Sequence, residues 1–309
     1  MRKWRSKAQA LKWVDRLPYG DHIYFGIQST IGGLRNPDPF ARFARLIEIL
    51  DLSERNGLKP FELDVIEVGT GHIPRAPIGL WLCGARSIVT VDLHRRLSSA
   101  LLAKTLNALA NNAPRVRRAL SPFADNPAFD ERFAILQKLR SSPEEFLRTA
   151  NIRYLAPADA ARLPLEDASI GLHFSITTLE HIPPSDLRGI LIEARRILRP
   201  TGLLVHHIDL SDHFQHSFPS ISPVNFLRFS DAEWMRIADN QFAYCNRLRA
   251  NAYRDLVLAS GFEMLESRRE YDPNALDYRL EANQLSPEFR MLSTQELTTL
   301  NYQFAAAPQ

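Results

Sequence analysis

Short apolar runs that end in acidic residues or glycine alternate with longer stretches of helical periodicity through most of the chain. Val65-Ile66-Glu67-Val68-Gly69-Thr70-Gly71 reads as a buried strand entering a glycine turn. Val89-Thr90-Val91-Asp92 reads as a second strand that ends in an acid. Asn151–Leu155, Ile170–Ser175, Leu203–Ile208, Phe262–Ser267 and Asn301–Ala306 continue the series. Between the first two strands, a helix is expected from near Pro74 or Pro77 to Gly84, since proline suits a first helical turn and glycine a helix end. Leu187 to Leu198 is amphipathic and stops at Arg199-Pro200-Thr201-Gly202, and Tyr253 to Ala259 stops at Gly261. The alternation predicts an α/β, doubly wound, mostly parallel seven-stranded sheet with helices on both faces.

Three segments fall outside that repeat. Residues 1–60 read as a helical N-terminal extension or cap, with helical spacing over Phe40–Leu50 and a loop-like piece, Tyr24–Gly33, carrying an aromatic pair. Residues 98–150 form an oversized helical insertion between the second and third strands. Residues 211–250, after the fifth strand, are polar and aromatic and are expected to form a lid; Phe214, Phe218, Phe226, Phe229, Trp234, Phe242 and Tyr244 either wall a small organic ligand or make a satellite core. The main domain is then 61–309.

Composition narrows the class without naming a reaction. In 309 residues, hydrophobic residues make up 45%, charged residues 24%, and the net charge is +3, too weakly basic to argue for nucleic acid. No apolar run has membrane-spanning length, and the start of the chain lacks a secretory pattern. Only Cys83 and Cys245 are present, far apart, which suits reduced thiols and a cytoplasmic location; Cys83 is expected in the core.

In an open parallel sheet the ligand site lies beyond the carboxyl ends of the strands. The residues gathered there are Glu67, Gly69, Thr70 and Gly71; Asp92; Asp159; Ser175 to His181; and Asp209, Asp212 and His213. Glycines let backbone approach a ligand closely, and Asp92 is placed to accept from ribose hydroxyls. Four blocks in order, Glu67–Gly71, Val91-Asp92-Leu93, Asp159–Asp167, and Ser175–Ile182 continuing to Ala194–Gly202, resemble class I methyltransferases that use S-adenosylmethionine. The resemblance implies that Gly69 and Gly71 line the methionine part of the cofactor, Asp92 binds the ribose, Leu93 flanks the adenine, Asp159 and the Ala160 amide read its edge, and Ser175 lies beneath the sulfonium. Ile73 stands where that family often has a third glycine, and His72-Ile73-Pro74 makes an unusual start to the first helix. A pyrophosphate would need room at that helix start, which argues against a nicotinamide dinucleotide.

Methyl transfer to a hydroxyl benefits from a base, and His181, Asp209 and His213 are the catalytic candidates, with Asp209 able to orient a histidine. Strand alternation puts His207 and Asp209 on one face and His206 and Ile208 on the other. Asp212, Tyr244 and Arg247 are candidate substrate contacts, and Arg247 and Arg249 would suit an acidic or phosphorylated acceptor. Asp209, Asp212, His213 and Glu180 are chemically fit to bind a metal, but their spacing matches no metal signature and none is expected. The fourth-strand block lacks the Asn/Asp-Pro-Pro-aromatic pattern of base-amino methylation, so nucleic acid is disfavoured. The expected function is methyl transfer from S-adenosylmethionine to an oxygen, less so a nitrogen, of a small-molecule acceptor. A peptide or RNA methyltransferase and an inactive cofactor-binding partner are the alternatives, and a homodimer is left open.

Overall fold

Each strand expected from the apolar runs forms, and they assemble into one sheet in the order β3-β2-β1-β4-β5-β7-β6. The strands are β1 Asp64–Val68, β2 Ser87–Val91, β3 Ile152–Leu155, β4 Ile170–Ile176, β5 Leu198–Asp209, β6 Phe262–Tyr271 and β7 Thr299–Pro308. The computed structural model describes residues 2–59, 61–277 and 284–309; Pro60, the last residue of the expected extension, lies outside them. Pairing is parallel from β3 through β5, and β7 runs antiparallel to both β5 and β6. The sheet is therefore mixed, with β7 as the reversed strand.

Helices cover both faces. One face carries α3 (Phe43–Arg55), α4 (Arg75–Leu82), α5 (Ser99–Ala110), α6 (Ala113–Ala119), α7 (Phe129–Leu139) and α8 (Pro143–Thr149). Leu46, Leu50, Ile78, Trp81, Leu102, Leu106, Phe129 and Phe146 pack there with Val65, Ile88 and Phe174 of the sheet. The oversized insertion is thus a four-helix layer built on this core. The other face carries α9 (Pro184–Ile197) and α11 (Ala250–Ala259), whose Leu187, Ile190, Leu191, Ala194, Tyr253 and Val257 meet Ile66, Val89, Leu204 and Phe304. Cys83 and Cys245 are both buried free thiols. No helix among the described residues is long and apolar enough to cross a membrane.

The N-terminal part begins with α1 (Arg2–Arg16) and α2 (Gly20–Thr30). The piece Tyr24–Gly33, read as loop-like, is helical as far as Thr30. Gly26 and Ser29 mask its apolar spacing, and tertiary contact decides: Phe25 packs on His72 at 5.0 Å and Tyr24 stacks on Phe242 at 4.2 Å. A third core joins Trp4 and Ala8 of α1 to Phe214, Phe226 and Trp234 of the 211–250 insertion, whose own helix is α10 (Asp231–Ala238). Phe218 and Phe229 pack against this cluster, so most of the insertion's aromatics build a satellite core, and Phe242 is left facing α2. The remaining short helices are α12 (Asn274–Asp277) and α13 (Thr294–Thr298).

Candidate active site

The glycine turn after β1 requires glycine for two separate reasons. Gly69 sits at φ +92°, and a Cβ there would stand 2.2 Å from Thr178 Oγ1. Gly71, at φ +68°, has open space where a Cβ would be, so the backbone is bare toward the cleft. Its amide donates to both oxygens of Asp92, at 3.3 and 3.1 Å, which ties the end of β2 to the turn. Tyr154 of β3 donates to Asp92 Oδ2 at 3.0 Å while its oxygen accepts from the amides of Arg96 and Leu97. Burial raises the Asp92 carboxyl to about 6, against the pull of these hydrogen bonds. Ile73, at the third-glycine position, is buried, and Pro74 caps α4 with a non-helical backbone.

Below the turn, Thr90 donates to Glu67 Oε2 at 2.7 Å and also bonds Thr70. Burial pushes Glu67 up to about 8, against the hydrogen bond from Thr90. Leu93 is exposed, and Asp159, also exposed, accepts from the Ala161 amide at 2.8 Å. Ala160 is buried beside it. Ser175 differs from its expected setting. Its side chain is fully buried and bonds His206 Nδ1 at 2.6 Å, so strand alternation turns it into the core and leaves only its backbone for a ligand.

The segment after β4 joins the turn to the histidines. Thr177 is held at φ +48°, and its amide donates to the His207 carbonyl of β5. Thr178 lies under Gly69. Glu180 and His181 follow in a single tight turn, Leu179–His181. His181 Nδ1 bonds the Tyr244 carbonyl at 2.8 Å, and its ring lies 4.8 Å from that of His213. His213 Nε2 is 3.5 Å from Asp209 Oδ2, an ion-pair separation with no hydrogen bond formed. Burial disfavours charge on His213, but Asp209, with Glu180 and Asp212, outweighs it and raises its pKa. Burial likewise opposes the Asp209 anion, yet His213 and two hydrogen bonds from Ser211 hold it well below the usual carboxylate range. His181, open to solvent on one side, is pushed the other way by surrounding protein and by the charge of His213.

Two of the proposed substrate contacts are committed to the fold. Arg247 is buried and its guanidinium reaches the carbonyls of Phe226 and Phe229 and the carboxylates of Asp231 and Glu288. Asp212 is fully buried and accepts from Asn225 and the Phe214 amide. Arg249 is also interior, spent on the carbonyls of Leu210, Glu296, Leu297 and Thr299. A polar residue in an aromatic insertion looks the same in sequence whether it faces a ligand or clamps the insertion's own backbone. Tyr244 is half-buried beside His181.

Sequence reasoning passed over Arg42 and Tyr154. Arg42, at φ +81° before α3, sends its guanidinium to the Ile176 carbonyl and to Thr177, within the charge field of Glu180, Glu67 and Asp209. Nothing local signals that reach across 134 residues. Tyr154 was detectable, as a hydroxyl near the end of a strand that flanks Asp92.

The open backbone at Gly71, the anchored Asp92 carboxylate and the Gly69 contact with Thr178 fit an adenosine-bearing sulfonium cofactor. Residues 134–206 match the family model described as a methyltransferase domain. No curated protein sequence matches significantly. Among solved structures, the PH0226 protein from Pyrococcus horikoshii OT3 is 14% identical, with 93% of this chain and 99% of that one covered and a TM-score of 0.48. A methyltransferase from Methanosarcina mazei is 12% identical over 82% and 96%, TM-score 0.44. One from Mesorhizobium loti is 15% identical over 86% and 97%, TM-score 0.43. At these values the likenesses say nothing about an acceptor. Residues 134–206 are thus similar to a methyltransferase domain, and the glycine turn tied to Asp92 lies in the same sheet as that segment.

Proposed function

We propose that the protein methylates an oxygen of a small-molecule acceptor, with His213 as the base and Asp209 orienting it. The observation that carries this reading is the Asp209–His213 pair, 3.5 Å apart, at the end of β5 two strands across the sheet from β1. Gly69 rests on Thr178, Glu180 and His181 follow within three residues, and His181 packs on His213, which supports reading the pair as the base beside the transferred methyl group.

Gly69, Thr70 and Gly71 would carry the methionine part, Asp92 the ribose hydroxyls, and Leu93, Asp159 and the Ala160 amide the adenine. When bound, S-adenosylmethionine supplies an electrophilic methyl group on a sulfonium. The chain's own work is to hold the acceptor oxygen in line and to receive its proton. His213 takes that proton on the nitrogen away from Asp209, and the resulting imidazolium is stabilised by the Asp209 carboxylate 3.5 Å from Nε2. His181 packs on His213 and confines the ring. Tyr24 and Phe25 of α2, contacting Phe242 and His72, would roof the cleft and keep water out.

The test is a screen of hydroxylated and aminated small molecules for S-adenosylhomocysteine release, with methylated product identified by mass spectrometry. An oxygen-methylated product, and turnover reduced at least a hundredfold in His213→Ala with cofactor affinity kept, is the expected result. Methyl found on nitrogen, or full turnover in His213→Ala, overturns it.

A further inference from the structure

We propose that Glu180, His181 and His213 form a binding site for one divalent transition-metal ion. One ligand atom from each lies within 4.8 Å of the others. A tetrahedral shell with bonds of about 2.0–2.2 Å sets such atoms roughly 3.4 Å apart, so small side-chain rotations complete the site.

A second observation points to a ligand. The Glu180 side chain is 1% exposed, yet neither carboxylate oxygen has a hydrogen-bond partner. A buried carboxylate without a partner is costly, and a cation between it and the histidines removes that cost. Arg42 is near enough to feel Glu180 but spends its guanidinium on Ile176 and Thr177.

The scaffold around the three residues is rigid in the way a metal site needs. The Asn246 amide donates to the Glu180 carbonyl at 2.7 Å, and its side chain donates to the carbonyls of Leu179 and Ile182, each at 2.9 Å. The turn that carries Glu180 and His181 is thus pinned from both sides. His181 commits Nδ1 to the Tyr244 carbonyl, which leaves Nε2 as the nitrogen it offers. His213 Nε2 is buried without a hydrogen bond, and Asp209 adds negative charge 3.5 Å away. Two imidazoles and one carboxylate suit zinc, iron(II) or cobalt(II) and leave coordination positions open to an oxygen ligand. The solvent-facing side of His181 gives the ion a way in.

The site stands on its own geometry and not on the acceptor reading above. An ion bound here makes His213 a ligand and takes it out of proton transfer, so the two roles are alternatives that experiment separates. The full-length chain, free of any tag and stripped with chelator, is titrated with Zn²⁺ by calorimetry and with Co²⁺ by visible absorption. The expected result is one ion per chain, with Glu180→Gln and His181→Ala each weakening binding at least tenfold and His22→Ala, on exposed α2, leaving it unchanged. Glu180→Gln preserves size and decides the matter if His181→Ala does not fold by circular dichroism. No stoichiometric uptake by the folded chain, or equal uptake by Glu180→Gln, overturns the proposal. S-adenosylmethionine titration of the same samples reads the cofactor site separately, so metal uptake can fail while cofactor binding stands.

Discussion

Tyr154 and Asp92 are joined by a 3.0 Å hydrogen bond from phenol to carboxylate, and the same phenol oxygen accepts from two backbone amides. The bond fixes the acid proposed to hold the ribose. Tyr154→Phe removes it and leaves the Arg96 and Leu97 amides without that acceptor. A bond to a charged group contributes about 1.5 kcal/mol, so S-adenosylmethionine affinity should fall roughly tenfold by calorimetry. Unchanged affinity would mean that Gly71 alone orients Asp92.

Asp92 also sets a pH dependence for cofactor binding. Its carboxyl is raised to about 6 by burial, so above that pH it is ionised and able to accept the two ribose hydroxyl hydrogen bonds proposed for it, and below that pH it is protonated. Affinity should be level above pH 7 and weaken as pH drops through 6 toward 5, by up to about tenfold per unit if only the anion binds. Asp92→Asn should bind weakly with a flat profile over that range. An identical slope in the variant would assign the dependence to another group.

Gly69 is the position where a single methyl group does most harm. An added Cβ meets Thr178 Oγ1 at 2.2 Å, and φ of +92° is one that L side chains rarely adopt. Gly69→Ala should cost about 1–3 kcal/mol through strain and displace Thr178 from the turn. We expect a lower thermal midpoint together with lost cofactor binding. Restoration of binding in Gly69→Ala/Thr178→Ala would show that contact with Thr178, more than backbone strain, carries the loss.

Much of this was legible in the chain. Strands such as Asp64–Val68 and Ile170–Ile176 are almost wholly buried because the parallel sheet is covered twice, and their many apolar residues leave a dense sequence signal. The turn at Gly69 and Gly71 was readable because positive φ selects glycine. Arg247 and Asp212 were misplaced because a charged residue in a lid-like segment carries no mark of its partners, and theirs are backbone carbonyls and Asn225. The Glu180–His181–His213 cluster was only partly legible for a related reason: Glu180 and His213 were grouped as fit to bind a metal, but without His181. It forms only when the turn after β4 and the start of the insertion fold against each other, 32 residues apart, with no spacing rule linking them.

Arg42 combines a strained backbone with a long-range contact, and the two separate by substitution. At φ +81° any residue with a Cβ is disfavoured, whereas the guanidinium links α3 to the ends of β4. Arg42→Ala and Arg42→Gly both lose that link, but glycine relieves the backbone. The glycine variant should be more stable than the alanine variant by about 1 kcal/mol in urea unfolding. Equal stabilities would mean that the chain before α3 readjusts once the guanidinium is gone.

Asp64, at the opposite end of β1 from the cleft, tests stability apart from function. It accepts from Arg86, from Ser87 at 2.6 Å and from Arg199 at 2.6 Å. Burial opposes its charge, but these partners prevail and hold the carboxyl at about 2. A folded pKa below the unfolded value of about 3.9 means that the stabilisation is complete above roughly pH 5 and is lost as pH falls through 4 toward 2. Because Arg86 is 56% exposed, solvent screening reduces the gain to about 1 kcal/mol. In urea unfolding, Asp64→Asn should therefore lie about 1 kcal/mol below the parent at pH 7, and the gap should shrink between pH 5 and pH 3. A constant gap across that range would trace the loss to packing or hydrogen-bond geometry and not to the charge on Asp64.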